Sequence, residues 1–271
     1  MSTALREAAK AGELTAEQRE AVRDLILVLA DSKRLLGMRY GNWMLGAPEL
    51  EAGIACASMA QDEWGHARLL YALLKDFGED VDALEHGRTA AEYRSIEALD
   101  AEPGSWPELV AVNAFVDLAL TLQFEALAES NYLPLRQRVQ KVIEEERFHA
   151  AHGAAWLRRI AASGDEGHEA MKTAIAAITP IVLRWFGPDS NRANAIHDAS
   201  LIDAVGSDMR SRYVERAAAL LRDIGGAGAF GDLEPDFSTF DEATRRTPGT
   251  SPDERTITQI RGDRNREFLM D

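Results

Sequence analysis

The strongest constraint on the fold is a Glu-x-x-His motif that occurs twice, each time within an apolar helical pattern. The first copy is Glu63 and His66 in "QDEWGHARLL", and the second is Glu146 and His149 in "EEERFHAA". Residues three positions apart lie on one face of a helix, so each pair shares a face with the apolar residues around it. Because burying an unpaired carboxylate is costly, the fold must supply both pairs with a partner.

Two more charged residues fall in apolar stripes, Lys33 in the helix before the first motif and Asp117 in the helix before the second. Lys33 precedes Glu63 by 30 residues, and Asp117 precedes Glu146 by 29. At a rise of ~1.5 Å per residue, either separation accommodates one antiparallel helix and its turn. We therefore expect all of these residues at one level of a bundle, with the two motifs facing each other.

Helical periodicity extends over most of the chain, and the alternation typical of strands is absent. The predicted helices cover about residues 15–45, 48–78, 107–130, 134–162, 166–185 and 199–223. They predict an all-α fold, a ferritin-like four-helix bundle with additional C-terminal helices. In this prediction residues 1–223 form the bundle domain. Residues 224–271, rich in Gly, Pro, Asp and Thr, form an extended C-terminal arm.

The charged residues in the stripes match a known type of metal site. A bundle with one Glu on each of two helices and a Glu-x-x-His on each of the other two binds two iron or manganese ions. Five residues match those ligands: Glu63, His66, Asp117, Glu146 and His149. Lys33 stands where the remaining carboxylate is expected. The sequence therefore predicts a buried metal site that Lys33 modulates.

Formal charges limit how much metal this site can hold. Three carboxylates and one protonated lysine leave two negative charges, which balance one divalent ion. We hypothesise that the half-site of Asp117, Glu146 and His149 binds metal best. Glu63 is placed to bridge, and the half-site that contains His66 is expected to be weakened by the lysine.

A metal-free core is the alternative structure. In that case Lys33 forms buried salt bridges with Glu63, Asp117 or Glu146, which compensate the carboxylates without an ion. The two motif histidines are then hydrogen-bonded core residues. The residues alone leave both structures open.

Composition and charge restrict the partners and the compartment. The chain has 271 residues, 46% of them hydrophobic, and a formal net charge of −15. This acidity argues against nucleic acids and anionic membranes as partners. No apolar run approaches the ~20 residues of a membrane span, and no signal-peptide pattern follows Met1, so we expect a soluble cytoplasmic protein.

Several other polar residues are interpreted as structural. The single cysteine, Cys56, is expected to be a buried, inert thiol. His152, one turn beyond His149, is expected on the helix surface. The run "EEER" at 144–147 is expected on a solvated face, except for Glu146.

Longer stretches of the sequence resemble the phenylacetic acid catabolic protein family, the ferritin-like subunits of bacterial phenylacetyl-CoA epoxidase. The resemblance is carried by "GMRYGNWMLGAPELEAGIACASMAQDEWGHARLLYALL", "FVDLALTLQFEALAE", "VQKVIEEERFHAAHGAAWL", "RWFGPDS" and "IRGDRNREFLMD". It covers most of the chain from about residue 25 onward.

In that family, a catalytic subunit with a di-iron site pairs with a homologous structural subunit that has lost its metal ligands. Resemblance to the catalytic type implies activation of O2 at iron, electrons from a separate reductase, and epoxidation of the aromatic ring of a CoA thioester. It also implies the metal ligands Glu63, His66, Asp117, Glu146 and His149. Lys33 departs from the pattern, because it corresponds to the helix-one glutamate of the catalytic type.

Two functions are therefore compared. We favour a subunit of a phenylacetyl-CoA epoxidase-like multicomponent monooxygenase. Its metal is expected to be one or two iron ions or another divalent ion, and the subunit is expected to oxygenate an aryl-CoA thioester in a pocket between helices. Its expected partners are a homologous ferritin-like subunit or a second copy of itself, and a separate reductase. The alternative is a non-catalytic structural subunit in which Lys33 replaces the metal charge. Metal storage or ferroxidase activity is a third interpretation, which the resemblance disfavours.

Overall fold

The computed structural model describes residues 13–224, 233–262 and 268. These residues are mostly α-helical and contain no β-strand, only an isolated bridge between Asp241 and Arg246. The helices are α1 (Ala16–Asn42), α2 (Leu50–Leu74), α3 (Trp106–Ala126), α4 (Leu133–Ala161), α5 (Asp165–Trp185), α6 (Asn191–Asp198), α7 (Gly206–Leu221) and α8 (Glu254–Arg261). The predicted all-α, ferritin-like fold is confirmed.

The first helical hairpin begins with a strong local signal. At the start of α1, the Thr15 hydroxyl accepts a hydrogen bond from the backbone N–H of Gln18, and the Gln18 side chain accepts one from the backbone N–H of Thr15. This reciprocal cap satisfies two N–H groups that the helix itself leaves unpaired. The start of α2 differs from the prediction, because Glu49 is its N-cap residue and Pro48 lies outside the helix.

The four-helix bundle consists of α1 to α4. Helix α1 packs along α2, α3 packs along α4, and contacts of α2 with α4 and of α1 with α3 close the bundle. In the described part of the chain, α3 is the one helix long and apolar enough to cross a membrane, but 83% of its most apolar stretch is buried inside the bundle. That burial is typical of the core helix of a globular domain.

The helix predicted over 199–223 begins later than expected, because α7 starts at Gly206, and the short helix α6 before it was not predicted. Ser200, after the end of α6, and Gly206, at the start of α7, have positive φ angles of 57° and 50°, which separate the two helices. A Cβ atom at position 206 would lie 2.0 Å from Oδ1 of Asp189. Only glycine therefore permits this close approach at the start of α7.

The described part of the C-terminal arm includes helix α8, which contacts α1. Ile257 is fully buried there against Ala90 and Tyr93. The Arg39 guanidinium donates a hydrogen bond to the Thr256 hydroxyl, at 3.4 Å. Residues 225–232, where the predicted arm begins, lie outside the described residues, so the domain boundary stays a prediction.

Candidate metal centre

A π-helical segment in α3 precedes the third carboxylate of the site. Val112–Val116 form this wider turn, and Asp117 follows directly. Such segments bulge the backbone of an α-helix and are frequent at functional sites. Asn113 within the segment and Asp117 after it are both buried in the bundle. The regular helical period used for the sequence prediction does not reveal this bulge.

Lys33 lies at the centre of the three buried carboxylates. Its Nζ atom donates to Oε1 of Glu63 at 3.0 Å, to Oδ1 of Asp117 at 2.7 Å and to Oε1 of Glu146 at 2.7 Å. All three ion pairs are almost completely shielded from solvent. The salt bridges considered as the alternative structure are therefore formed.

The two motif histidines face the carboxylates through Nδ1, but their surroundings differ. His149 Nδ1 lies 3.2 Å from Glu63 Oε1, 3.2 Å from Asp117 Oδ2 and 3.5 Å from Glu146 Oε2. His66 Nδ1 lies 3.3 Å from Glu146 Oε1 and 3.7 Å from Glu63 Oε2, and it makes no hydrogen bond. Three carboxylates thus surround Nδ1 of His149, whereas two approach Nδ1 of His66.

The outer nitrogen of each histidine contacts an acidic residue of the other motif. His66 Nε2 lies 2.8 Å from Glu145 Oε2, and His149 Nε2 lies 3.4 Å from Asp62 Oδ2. Metal-ligating histidines usually donate this second ring N–H to such a partner, which fixes the tautomer and the ring orientation. Each of these two acids directly precedes the glutamate of its motif. The acidic pairs "DE" and "EE" are therefore the sequence feature from which the histidine partners could have been predicted. Glu144 and Arg147 are exposed as expected for a solvated face, whereas Glu145 is only partly exposed and contacts His66.

A hydrogen-bonded chain leads outward from Asp117. The Tyr40 hydroxyl donates to Asp117 Oδ2 at 3.0 Å and accepts a bond from Asn113 Nδ2 at 3.0 Å. The Asn113 Oδ1 atom lies 3.0 Å from His152 Nδ1. His152 is therefore half-buried in a polar network instead of lying on the helix surface as expected. Tyr40 lies two helical turns after Lys33, so the spacing places both on the same face of the helix and could have predicted that the tyrosine faces the cluster.

Burial opposes charge on every group of the cluster, and neighbouring charges decide which groups remain ionised. Burial lowers the pKa of Lys33, but the three carboxylates outweigh it and raise that pKa above its usual value. For Asp117, burial and the Glu146 charge outweigh Lys33 and raise the pKa to about 6. Burial also opposes protonation of His66, but the carboxylates of Glu146 and Glu63 raise its pKa to about 9.

The donor atoms fit a divalent ion. Four buried residues offer ligand atoms within 4.8 Å of one another: Glu63, Asp117, Glu146 and His149. Carboxylate oxygens and imidazole nitrogens suit iron and similar divalent metals. Two buried atoms that face the cluster, Glu63 Oε2 and His66 Nδ1, have no hydrogen-bond partner among the described residues, and His66 would have to release its proton to bind metal. The Lys33 ammonium competes for the same three carboxylates.

One side of the cluster adjoins a cavity of about 450 Å³ between α2 and α4, which we call the access cavity. Its lining includes Met59, Asp62, Glu145, Phe148, His149 and His152. Phe148 is 76% exposed at the rim, whereas His149 is buried beside the carboxylates. The access cavity therefore connects the surface of the bundle with the His149 side of the cluster.

Comparisons with known proteins agree with this architecture. The chain is similar to two different components of the 1,2-phenylacetyl-CoA epoxidase of Escherichia coli (strain K12). It is 29% identical to one of them over 165 residues, which cover 60% of this chain and 66% of that relative. It is 26% identical to the other over 192 residues, which cover 68% of this chain and 61% of that relative. Both matches span less than two thirds of the relatives' length.

A larger part of the chain matches a protein family than matches either of these relatives. A model of the phenylacetic acid catabolic protein family matches residues 3–227. This region contains α1 to α7 and every residue of the candidate metal centre. The resemblance inferred from the sequence is confirmed: the chain belongs to the phenylacetic acid catabolic protein family.

Proposed function

We propose that this protein is an oxygenase subunit of a phenylacetyl-CoA epoxidase-like multicomponent monooxygenase. The observation that carries the proposal is the crossed pairing of the histidines. Nδ1 of each imidazole faces the buried carboxylates, while Nε2 contacts Glu145 or Asp62. Metal-ligating histidines almost always have such a partner at the second ring nitrogen, so this orientation supports metal ligation.

The residues that would hold iron are Glu63, Asp117, Glu146 and His149, with His66 beside them. Bound iron would supply the redox chemistry by which O2, two electrons from a separate reductase and two protons convert an aryl-CoA thioester into its ring epoxide and water. We propose that the protein binds this substrate, receives electrons from the reductase, pairs with a homologous or identical subunit, and is located in the cytoplasm.

The chain's own residues prepare the site for such a reaction. Glu145 and Asp62 orient the imidazoles, and the Thr121 hydroxyl donates to Glu146 Oε2 at 3.2 Å. Burial of the carboxylates excludes bulk water, which strengthens electrostatic interactions inside the bundle. Met59 and Phe148 give the access cavity an apolar wall suited to an aromatic ring.

A structural subunit is the second candidate, and Lys33 favours it. Its ammonium contacts the three carboxylates at 2.7 to 3.0 Å, so it compensates charge that a metal ion would otherwise compensate. In this case the bundle folds around a salt-bridged core, and the protein's role is to support a catalytic homologue.

Metal content separates the two candidates. For an oxygenase subunit, we expect purified protein reconstituted anaerobically with Fe(II) to retain about one iron per chain, and Lys33→Glu to raise this number towards two because it restores a carboxylate. Lys75→Glu makes the same change at an exposed lysine and should leave the iron content unchanged.

Turnover supplies the second criterion. Iron-loaded protein should consume O2 in the presence of phenylacetyl-CoA, a matching reductase and the homologous partner. Absence of retained iron together with absence of turnover would reject the oxygenase proposal in favour of the structural subunit. If Lys33→Glu leaves the iron content unchanged, the charge argument is wrong.

A further inference from the structure

A second cavity, of about 530 Å³, lies between α1, α2, the segment around residue 86 and helix α8 of the C-terminal arm. We call it the arginine cavity. The lining residues that matter for its chemistry are Arg34, Met38, Trp64, Arg68, His86 and Ile260. It shares no lining residue with the access cavity, and it has the volume of a typical small-molecule site.

The arginine cavity carries an excess of positive charge in a protein whose net charge is −15. Arg34 is buried, and its guanidinium donates to the backbone carbonyls of Glu85 at 2.7 Å and Ile260 at 3.3 Å. The Glu85 carboxylate lies 3.9 Å from Arg34 Nη1. Arg68 makes no hydrogen bond or ion pair with any residue that the structure describes. Two guanidinium groups therefore face one carboxylate, which favours an anionic ligand.

His86 adds an unsatisfied polar atom to this lining. Its Nδ1 atom is buried and has no hydrogen-bond partner among the described residues. Because solvent does not reach Nδ1, a ligand in the cavity would contact the remaining part of the imidazole ring. Oxyanions such as phosphate accept hydrogen bonds from guanidinium and imidazole N–H groups alike.

Trp64 provides an aromatic surface next to the cations. Its indole is 37% exposed and packs closely against α1 at Gly37. A Cβ atom at position 37 would lie 2.6 Å from Trp64 Nε1, so the absence of a side chain there permits this packing. A ring held in this way can stack on a planar group of a ligand.

We propose that the arginine cavity binds a nucleotide, with its phosphate groups at Arg34, Arg68 and His86 and its base against Trp64. The phosphate groups of such a ligand match the cationic part of the lining, and its base matches the aromatic part. The nucleotide is either free or the nucleotide portion of a CoA thioester. The inference rests on this cavity alone and does not require metal at the carboxylate–histidine cluster.

The test is calorimetric titration of the full-length protein, with and without EDTA, using ADP, coenzyme A, inorganic phosphate and adenosine. We expect saturable binding of ADP or coenzyme A that EDTA does not change, weaker binding of phosphate, and the weakest binding of adenosine. Tighter binding of coenzyme A than of ADP identifies a site for a CoA thioester, and the reverse identifies a separate nucleotide site.

Two variants assign the halves of the ligand. Arg68→Ala should weaken ADP and phosphate by about tenfold or more, because it removes one charge-assisted contact. Trp64→Leu should weaken ADP and adenosine but not phosphate. Arg222→Ala, an exposed arginine that lines neither cavity, is the matched control and should bind like the wild type.

Three results would overturn the nucleotide site. They are absence of saturable binding of both ADP and coenzyme A at millimolar concentration, wild-type affinity in Arg68→Ala, and equal affinity for ADP and phosphate. Because the titration is independent of iron, its failure leaves the iron site of the oxygenase proposal intact, and failure of the iron reconstitution leaves the nucleotide site intact.

Discussion

The two Glu-x-x-His motifs have the same spacing and the same helical setting, yet the bundle surrounds their histidines differently. Three carboxylates lie within 3.5 Å of His149 Nδ1, and the access cavity reaches this imidazole. His66 Nδ1 has two carboxylate neighbours, at 3.3 and 3.7 Å, and no hydrogen bond. The two motifs are equal in sequence, but the surroundings of their histidines differ in the number of nearby carboxylates.

The source of the inequality lies on the other two helices. Asp117 on α3 contacts His149, while Lys33 on α1 supplies no carboxylate and places its ammonium among the three that are present. One cation in place of one anion changes the local charge by two, which is a large change in a buried site. We therefore expect the metal affinity of a half-site to depend as much on its neighbouring helix as on its own motif.

Removal of Lys33 should have the largest effect. In the metal-free protein, Lys33→Met leaves three buried carboxylates without their shared cation, and we expect a loss of about 3–5 kcal/mol in the free energy of unfolding. Urea denaturation in the presence of EDTA measures it. Lys75→Met, at an exposed site, is the control. Added Mn(II) should restore stability to Lys33→Met if the carboxylates then bind metal, and an unchanged stability in EDTA would refute the role of Lys33.

The pH dependence of His66 comes next in size. Its pKa in the folded protein, about 9, lies above the ordinary value of 6.5, so protonation favours the folded state. The contribution is complete below pH 6.5 and is lost as the pH rises through 9, for a total of up to about 3 kcal/mol. Urea denaturation of metal-free protein from pH 6 to 9.5 measures the loss. His66→Gln should flatten it; an equally steep loss in His66→Gln would assign it to other groups.

The acids behind the histidines should affect metal affinity moderately. Loss of such a partner typically reduces metal affinity by about 10- to 100-fold. We expect Glu145→Gln to weaken the His66 half-site and Asp62→Asn the His149 half-site, as measured by competition with a chelating dye. Glu144→Gln, an exposed neighbour, is the control. Equal affinities in all three variants would show that the crossed pairing does not support metal.

Truncation at the rim of the access cavity should have the smallest effect on stability. Phe148 is exposed, so Phe148→Ala should change the free energy of unfolding by less than about 0.5 kcal/mol. If the cavity admits an aryl-CoA thioester to the His149 side, the same variant should raise KM with little change in kcat. An unchanged KM would mean that the substrate reaches the cluster by another route.

Much of the fold could be predicted from the sequence, because buried helices require a continuous apolar face and clear stop signals. The hairpins, the all-α class and the buried position of Cys56 are confirmed. The start of the helix predicted over 199–223 was placed too early, because α7 begins at Gly206, where the backbone approaches Asp189, a residue distant in sequence. Helical periodicity carries no information about such a contact.

Part of the candidate site could likewise be predicted from the sequence, and part of it could not. The spacing of Glu63, Glu146 and their histidines was sufficient to expect them at one level of a bundle, and charge counting was sufficient to expect a role for Lys33. The partners Glu145, Tyr40 and His152 were missed or misplaced. Each of them reaches the cluster across a helix interface, and the sequence of one helix does not show which side chains face it from another.

By itself, the sequence determined that two Glu-x-x-His pairs, Asp117 and Lys33 would be buried together in a helical bundle, because apolar periodicity leaves those side chains no path to solvent. Only the tertiary structure decided that the ammonium of Lys33 contacts all three carboxylates and that the two histidines differ. Which oxygen faces which nitrogen depends on helix packing and on the π-helical segment in α3, and distances of a few ångströms determine the balance of charge.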